Sequence, residues 1–169
     1  AADRLGGLAG RSVLVVGAGE MGEGLVRSLI DAGAAPVQVA NRTWDRAVAL
    51  ADRVGATAIH LDDLPRVLTD VDLLLTSTGA TSIIVEHGDI EPVVGTRAGA
   101  PLLIVDIAVP RDVDAAAGTL PGVTLLDPYQ PGLTKEEAMN LRRQGLLSDV
   151  MVASTNAITL DGRLVNLDG

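Results

Sequence analysis

A glycine-rich turn carries the strongest chemical signal in this sequence. Gly17, Gly19 and Gly22 form a G-x-G-x-x-G pattern between a short apolar run and the start of a helical pattern. The first glycine permits a tight turn, the second lets a pyrophosphate approach the backbone, and the third allows close packing of helix on strand. The N–H groups of Glu20 and Met21, at the helix N-terminus, would face the phosphates. The turn predicts a dinucleotide site; the alternative is that the glycines only shape a turn.

The residues after the second predicted strand decide which dinucleotide is favoured. An acidic residue at this point would bind a ribose 2′-hydroxyl, whereas an arginine would accommodate a 2′-phosphate. The sequence has Asn41, Arg42 and Thr43 there, and the planar guanidinium of Arg42 is a strong phosphate donor. NADP(H) is therefore predicted over NAD(H). In the alternative, Arg42 pairs with Asp45 on the surface. Trp44 is expected to cover the helix rather than stack beside an adenine.

Two later loops add candidate cofactor contacts. Ser77, Thr78 and Gly79 follow the fourth predicted strand, where small hydroxyl side chains suit contacts to phosphate or ribose. Capping of a helix is the equal alternative for them. Asp106 follows the fifth strand at the same edge of the sheet, where a doubly wound fold keeps its ligand crevice. It is the one carboxylate with a predicted site role, and loop capping is the alternative.

Composition excludes several kinds of site. The 169 residues include no cysteine, and the two histidines, His60 and His87, lie far apart in sequence. Disulfides, thiolate metal sites and sulfur nucleophiles are therefore excluded, and a histidine-rich metal site is not expected. No base–nucleophile pair is visible by spacing, so the sequence predicts neither a catalytic nor a metal-binding residue.

Charge and hydropathy limit the expected partners. Thirteen basic residues against 22 acidic ones give a net charge of −9, and the cations are scattered, so nucleic-acid binding by this chain alone is not expected. No apolar stretch reaches the ~18 residues that span a bilayer, and the first residues have no leader pattern. A cytoplasmic protein without membrane contact is the resulting expectation.

Short apolar runs alternate regularly with helical patterns. The predicted strands are residues 12–16, 37–40, 57–59, 72–76, 102–105 and 123–126, and the predicted helices are 20–32, 44–54 and 61–68, whereas 89–99 has no clear pattern. Strands that are apolar throughout are typical of parallel sheets covered by helices on both faces. Repeated strand–helix units therefore predict an α/β fold with a doubly wound, Rossmann-like, mostly parallel sheet.

Residues 127–169 follow a different pattern. Thr134 and Glu137 form a capping box that predicts a helix to about residue 147, and a strand is expected at 150–153. The pair 161–162, Asp-Gly, separates two strand-like runs and is typical of a β-hairpin. We expect a dinucleotide-binding part over 1–126 and a helix–strand–hairpin segment over 127–169 that completes the same domain. The hairpin edge is a candidate homodimer contact.

The motifs of the first part together resemble the NADPH-binding domain of glutamyl-tRNA reductase over about residues 8–126. The matching runs are 15–22, 41–43, 77–80 and 106–112. The resemblance implies NADPH contacts at the glycine turn and Arg42, and also at Ser77, Thr78 and Asp106. The family reduces glutamyl-tRNA to glutamate-1-semialdehyde for tetrapyrrole synthesis, with a cysteine nucleophile in an N-terminal domain and a helical dimerisation domain after the cofactor domain. Neither flanking domain is expected here, so the chain is not expected to be active alone.

Residues 129–169 resemble part of the LUD domain of lactate-utilisation proteins. The runs 136–137, 141–144, 147–150 and 154–166 carry this resemblance, which implies a helix, a central strand and a hairpin from another Rossmann-like sheet. A chimera with its seam near 126–129 is the simplest hypothesis that joins the two. The leading function is an NADP(H)-binding module without catalytic residues. The alternatives are a chimeric or designed fold without ligand binding and, ranked lowest, a small free-standing oxidoreductase.

Overall fold

A parallel sheet forms the centre of the fold in a computed structural model, which describes residues 5–127, 132, 134, 136–137, 157–158 and 164–165. The six strands are β1 Val13–Val16, β2 Val37–Ala40, β3 Thr57–Ile59, β4 Leu73–Thr76, β5 Leu102–Asp106 and β6 Val123–Leu126. They are parallel and stand in the order β3-β2-β1-β4-β5-β6. The predicted doubly wound, Rossmann-like sheet is confirmed.

Helices cover both faces of the sheet. They are α1 Glu20–Asp31, α2 Trp44–Val54, α3 Leu64–Val67 and α4 His87–Thr96, with 3-10 turns at Leu61–Asp63 and Ala115–Thr119. All four residues of β1 are 0% exposed, because alternate side chains pack into different core clusters, one containing residues of α1 and α2 and the other residues of α3 and α4. Among the described helices, none is long and apolar enough to cross a membrane.

The strand order creates a crevice at the carboxyl edge of β1. The chain leaves β1 toward β2 and later returns to β4 on the other side, which makes this edge the topological switch point of the sheet. Val16 is level with Ala40 of β2 and with Thr76 of β4. The loops that begin at Gly17, Asn41 and Ser77 therefore start side by side.

One helix was not predicted from the sequence. No element was expected at 89–99, but α4 occupies most of that stretch. Pro92 lies inside it and has no N–H to donate, which normally argues against a helix. A capping box starts the helix nevertheless: the N–H of Glu86 donates to Asp89 Oδ2 at 2.8 Å, and the Glu86 side chain accepts from the backbone of Asp89. Burial of Ile90 at 0% exposure against the sheet then stabilises it.

The described residues of the C-terminal segment agree with two predictions. The capping box is present, since the Thr134 N–H donates to Glu137 Oε2 at 2.8 Å and the Glu137 N–H donates to Thr134 Oγ1 at 3.2 Å. Strands β7, Ala157–Ile158, and β8, Leu164–Val165, pair antiparallel as the hairpin prediction requires.

The other predictions for this segment fall elsewhere in the chain. The Asp-Gly turn at 161–162, the strand at 150–153 and most of the helix to residue 147 lie outside the described residues. That the segment 127–169 completes the main sheet, and that the hairpin edge forms a dimer, stay predictions.

Candidate functional site

Backbone contacts require two of the three glycines in the turn. Gly17 has a φ of +122°, and a Cβ there would lie 2.8 Å from the carbonyl oxygen of Ser77. A Cβ at Gly22 would overlap the carbonyl oxygen of Gly17. Gly19 differs, because a Cβ there would meet no atom within 4 Å. The first and third glycines therefore serve close packing, and the second leaves open space above the turn.

The open space borders the start of α1. Gly19 is the N-cap residue and supplies no side-chain cap, and the first intrahelical donor, the N–H of Glu23, bonds to the Gly19 carbonyl at 2.9 Å. The N–H groups of Glu20, Met21 and Gly22 precede that donor and have no acceptor within the helix. This geometry suits an anion, since the helix dipole adds partial positive charge at the same end.

Asn41 connects the glycine turn to the loop after β2. Its side-chain oxygen accepts the N–H of Ala18 at 3.3 Å, and its side-chain nitrogen donates to the carbonyl of Thr43 at 3.0 Å. These contacts fix two loops relative to each other. Asn41 therefore positions the glycine turn relative to the loop after β2.

A crevice of about 210 Å³ opens between the loops after β2 and β4. It contains Arg42, Thr43 and Arg46 on one side and Thr78, Gly79 and Ala80 on the other, and its remaining lining residues are Val16, Asn41, Leu61 and Ile84. No carboxylate is among these lining residues. The structure thus brings the predicted residues of two loops to one crevice.

Two cationic side chains in the crevice are unpaired as far as the described residues go. Within the described part of the chain, neither Arg42 nor Arg46 makes a side-chain hydrogen bond or an ion pair, so the alternative pairing of Arg42 with Asp45 is not formed. Both residues are exposed. Arg46 was missed from the sequence, although a helix that starts at Trp44 places it in the first turn, beside Arg42.

Trp44 lies outside the lining of the crevice. Its indole stacks on the ring of His60, with centroids 3.7 Å apart and an interplanar angle of 11°, and the residue stays 38% exposed. It covers His60, which precedes the 3-10 turn Leu61–Asp63, whereas the sequence predicted that it covers its own helix.

The hydroxyl of Ser77 is buried and has no hydrogen-bond partner within the described parts of the chain. It faces the glycine turn, since a Cβ at Gly17 would lie 3.1 Å from this oxygen and one at Gly22 would lie 3.7 Å away. The backbone N–H of Ser77 donates to Val16 at 2.9 Å. Because buried hydroxyl groups are normally paired, an unpaired one beside a candidate phosphate site indicates an unmet hydrogen-bonding need.

Ser77→Ala is expected to leave the free energy of unfolding unchanged or to raise it by up to about 1 kcal/mol, because the lost hydroxyl has no partner. Thr78→Val is the matched control and should lower the stability by about 1 kcal/mol or more, since the Thr78 hydroxyl donates to Asp112 and accepts the N–H of Ala80. Urea unfolding of both variants measures the difference. A loss of more than 1 kcal/mol in the Ser77 variant would show that its hydroxyl is bonded.

Asp106 is an internal anchor of its own loop. It is 1% exposed, and its carboxylate accepts the Thr76 hydroxyl at 2.9 Å and the Ala108 N–H at 3.0 Å. Two further N–H groups, of Asp112 and Val113, donate to its other oxygen at 2.9 Å. Of the two interpretations of Asp106, the geometry favours loop capping over direct cofactor contact.

Asp112 was not singled out from the sequence as a site residue. It is 0% exposed and accepts the Thr78 N–H at 2.8 Å as well as the Thr78 hydroxyl. Burial raises the pKa of its carboxyl above the ordinary value, the two Thr78 hydrogen bonds oppose this rise, and the nearby charge of Asp106 adds to it. Thr78 is thus held by Asp112, while its backbone borders the crevice.

Comparison with known proteins identifies a family for most of the chain. The family model described as shikimate / quinate 5-dehydrogenase matches residues 1–127. The chain belongs to that family. The match covers the whole parallel sheet and the crevice of this shikimate / quinate 5-dehydrogenase family member.

Individual relatives of this family member are glutamyl-tRNA reductases. The enzyme of Moorella thermoacetica is 47% identical over 120 residues, which are 71% of this chain and 27% of that protein. The solved structure from Methanopyrus kandleri has a TM-score of 0.68 at 36% identity and covers 82% of this chain and 35% of that one. The nucleotide-binding domain from Thermoplasma volcanium shares the fold, with a TM-score of 0.55 at 21% identity over 86% of this chain and 90% of that one. The chain is therefore homologous to the nucleotide-binding part of glutamyl-tRNA reductase and spans only 27% of the Moorella protein's length.

A second family model overlaps the first. The LUD domain matches residues 105–169, which confirms the predicted similarity of the C-terminal segment. The match begins earlier than the predicted residue 129, at the end of β5, so residues 105–127 fit both families. The overlap contains β6, which pairs parallel with β5 at one end of the six-stranded sheet.

Proposed function

We propose that the chain binds NADP(H) in the crevice between the loops after β2 and β4, as a cofactor module of the glutamyl-tRNA reductase type. One observation carries this proposal: the crevice contains the guanidinium groups of Arg42 and Arg46, which have no partner among the residues that the structure describes, and no carboxylate is among its lining residues. A ribose 2′-phosphate would supply the anion that these two groups lack. NAD(H) has a hydroxyl at that position and would find no acidic acceptor among the lining residues.

The glycine turn supports the same orientation of the nucleotide. Its open face lies over Gly19, beside the N–H groups of Glu20 and Met21. A pyrophosphate placed there would receive hydrogen bonds from the start of α1, and its adenosine half would extend toward Arg42. The Ser77 hydroxyl lies buried behind the same turn, next to Gly17 and Gly22.

The chain's own residues favour binding without catalysis. The sequence has no cysteine, and the buried carboxylates near the crevice, Asp106 and Asp112, are engaged in loop hydrogen bonds. We infer that the module holds the hydride donor and that other residues, outside this chain, supply the nucleophile. Reduction of glutamyl-tRNA by the complete relatives is the reaction that such a module would serve.

Titration of the full chain with NADPH and NADH tests the proposal. NADPH at a hundredfold excess over its dissociation constant should raise the free energy of unfolding by ~2.7 kcal/mol, with a smaller rise for NADH. It should also alter the fluorescence of Trp44, the single tryptophan, which lies next to the crevice-lining residue Thr43. If neither nucleotide at millimolar concentration changes the melting temperature, the proposal is wrong.

The overlap of the two family models bears on the origin of the chain. We propose that a nucleotide-binding domain and a LUD-like segment were joined within one sheet, with residues 105–127 as the part that fits both. Sequencing of the source locus tests this. A natural relative in which one family model alone accounts for residues 1–169 would contradict the chimera.

A further inference from the structure

Asp112 connects the loops that follow β4 and β5. Its backbone carbonyl accepts the N–H groups of Ile84 at 2.7 Å and of Val85 at 3.0 Å. Its carboxylate accepts the Thr78 N–H at 2.8 Å and the Thr78 hydroxyl. One residue of the β5 loop thus holds the β4 loop at two places, once near its start and once near its end.

The segment between those two places forms one wall of the crevice. Thr78, Gly79, Ala80 and Ile84 line it opposite Arg42. A Cβ at Gly79 would meet nothing within 4 Å, and the N–H of Ala80 donates to Thr78 Oγ1 at 3.1 Å. The position of this wall therefore depends on Thr78, which Asp112 holds.

Asp112 itself has no access to a ligand in the crevice. It is 0% exposed, is not a lining residue, and both carboxylate oxygens are engaged by Thr78. Its own N–H donates to Asp106 Oδ2 at 2.9 Å, which ties it to the anchored start of the β5 loop. The link runs from the sheet through Asp106 and Asp112 to the crevice wall.

We propose that Asp112 is a positioning residue for the nucleotide site, which holds the wall formed by Thr78, Gly79 and Ala80 at the spacing that the adenosine half of the nucleotide needs. The inference rests on the proposed NADP(H) function. The adenosine half is the part affected, because the wall lines the same crevice as Arg42 and Arg46. Adenosine 2′,5′-bisphosphate, which lacks the nicotinamide, should therefore depend on Asp112 as strongly as NADPH does.

Asp112→Asn is the primary variant. It keeps the shape of the side chain but removes the negative charge and replaces one acceptor oxygen by an NH2 group, which faces either the Thr78 N–H, a donor only, or the Thr78 hydroxyl, which must then turn its hydrogen away. We expect about tenfold weaker binding of both NADPH and adenosine 2′,5′-bisphosphate, by the same factor, in titration calorimetry of the folded chain at 25 °C. Asp114→Ala is the matched control, because Asp114 lies in the same loop and caps the 3-10 turn through the Ala116 N–H at 3.0 Å. It should lower stability and leave both affinities unchanged.

A double-mutant cycle with Thr78→Val separates positioning from direct contact. If Thr78 acts through Asp112, the two losses of affinity should be strongly non-additive; additive losses would overturn the inference. Unchanged affinity of folded Asp112→Asn would also overturn the positioning role. If the natural chain bound neither ligand, the proposed NADP(H) function would be overturned instead. If Asp112→Asn does not fold, Thr78→Val and Thr78→Ser are compared instead, because serine keeps the hydroxyl that donates to Asp112. Weaker NADPH binding by Thr78→Val together with natural affinity in Thr78→Ser supports the inference. Natural affinity in both variants overturns it.

Discussion

Replacement of both crevice arginines, Arg42→Ala with Arg46→Ala, is expected to weaken NADPH binding by about a hundredfold or more and NADH binding by less than about threefold. Each guanidinium would lose a charge-assisted hydrogen bond to the 2′-phosphate, and such bonds contribute roughly 1.5–3 kcal/mol each. NADH lacks that phosphate. Stability of the free chain should change little, because both side chains are exposed and without partners among the described residues. Titration with each nucleotide, followed by Trp44 fluorescence or calorimetry, measures the two affinities.

Two controls separate the specific contact from the general effect of charge. Arg66→Ala removes an exposed cation that lies on α3, where its nearest acid is Asp63 at 3.6 Å, and should leave NADPH affinity within about twofold at 0.15 M salt. Arg42→Lys keeps the charge but not the planar fork, so an intermediate loss is expected. Equal losses of NADPH and NADH in the double variant would mean that the 2′-phosphate assignment is wrong.

The parts of the fold that were predicted from sequence depend on local physics. The bounds of β2 and α2 were predicted as they are observed. A short, mainly apolar run indicates a strand, and apolar residues at helical spacing indicate an amphipathic helix. Gly55, in the left-handed region at a φ of 74°, ends α2 where the sequence placed the stop. The glycine turn was also recognisable from local demands, since Gly17 has a φ of +122° and a Cβ at Gly22 would overlap the Gly17 carbonyl oxygen.

The parts that were not predicted depend on contacts distant in sequence. Arg97 is 7% exposed and donates hydrogen bonds to the carbonyls of Leu68, Thr69, Ala100 and Pro101. Nothing local distinguishes this buried arginine from a surface one. Burial lowers its pKa below the ordinary value, and the charges of two nearby aspartates oppose this. The anchoring role of Asp112 is hidden in the same way, because its partner Thr78 lies 34 positions earlier.

Gly22→Ala is expected to lower stability much more than Gly19→Ala, although both add one methyl group to the same turn. The Cβ at Gly22 would overlap the Gly17 carbonyl, so the turn and the start of α1 must separate. Backbone overlap of this kind should cost about 3 kcal/mol of stability, measured by urea unfolding. The Cβ at Gly19 would meet no protein atom within 4 Å, and the φ of −86° is ordinary for alanine. A loss of at most about 1 kcal/mol is therefore expected there, as for an N-cap glycine replaced by alanine.

Nucleotide binding should distinguish the two positions. The methyl group of Gly19→Ala would occupy the open space above the turn, where the pyrophosphate must approach the N–H groups of α1. We expect at least about tenfold weaker binding of NADPH and NADH alike, because the pyrophosphate is common to both, while the fold remains intact. This equal loss contrasts with the selective loss expected for the arginine variants. If a folded Gly19→Ala chain bound NADPH with the natural affinity, the open space above Gly19 would not be the phosphate site, and the orientation proposed for the nucleotide would be wrong.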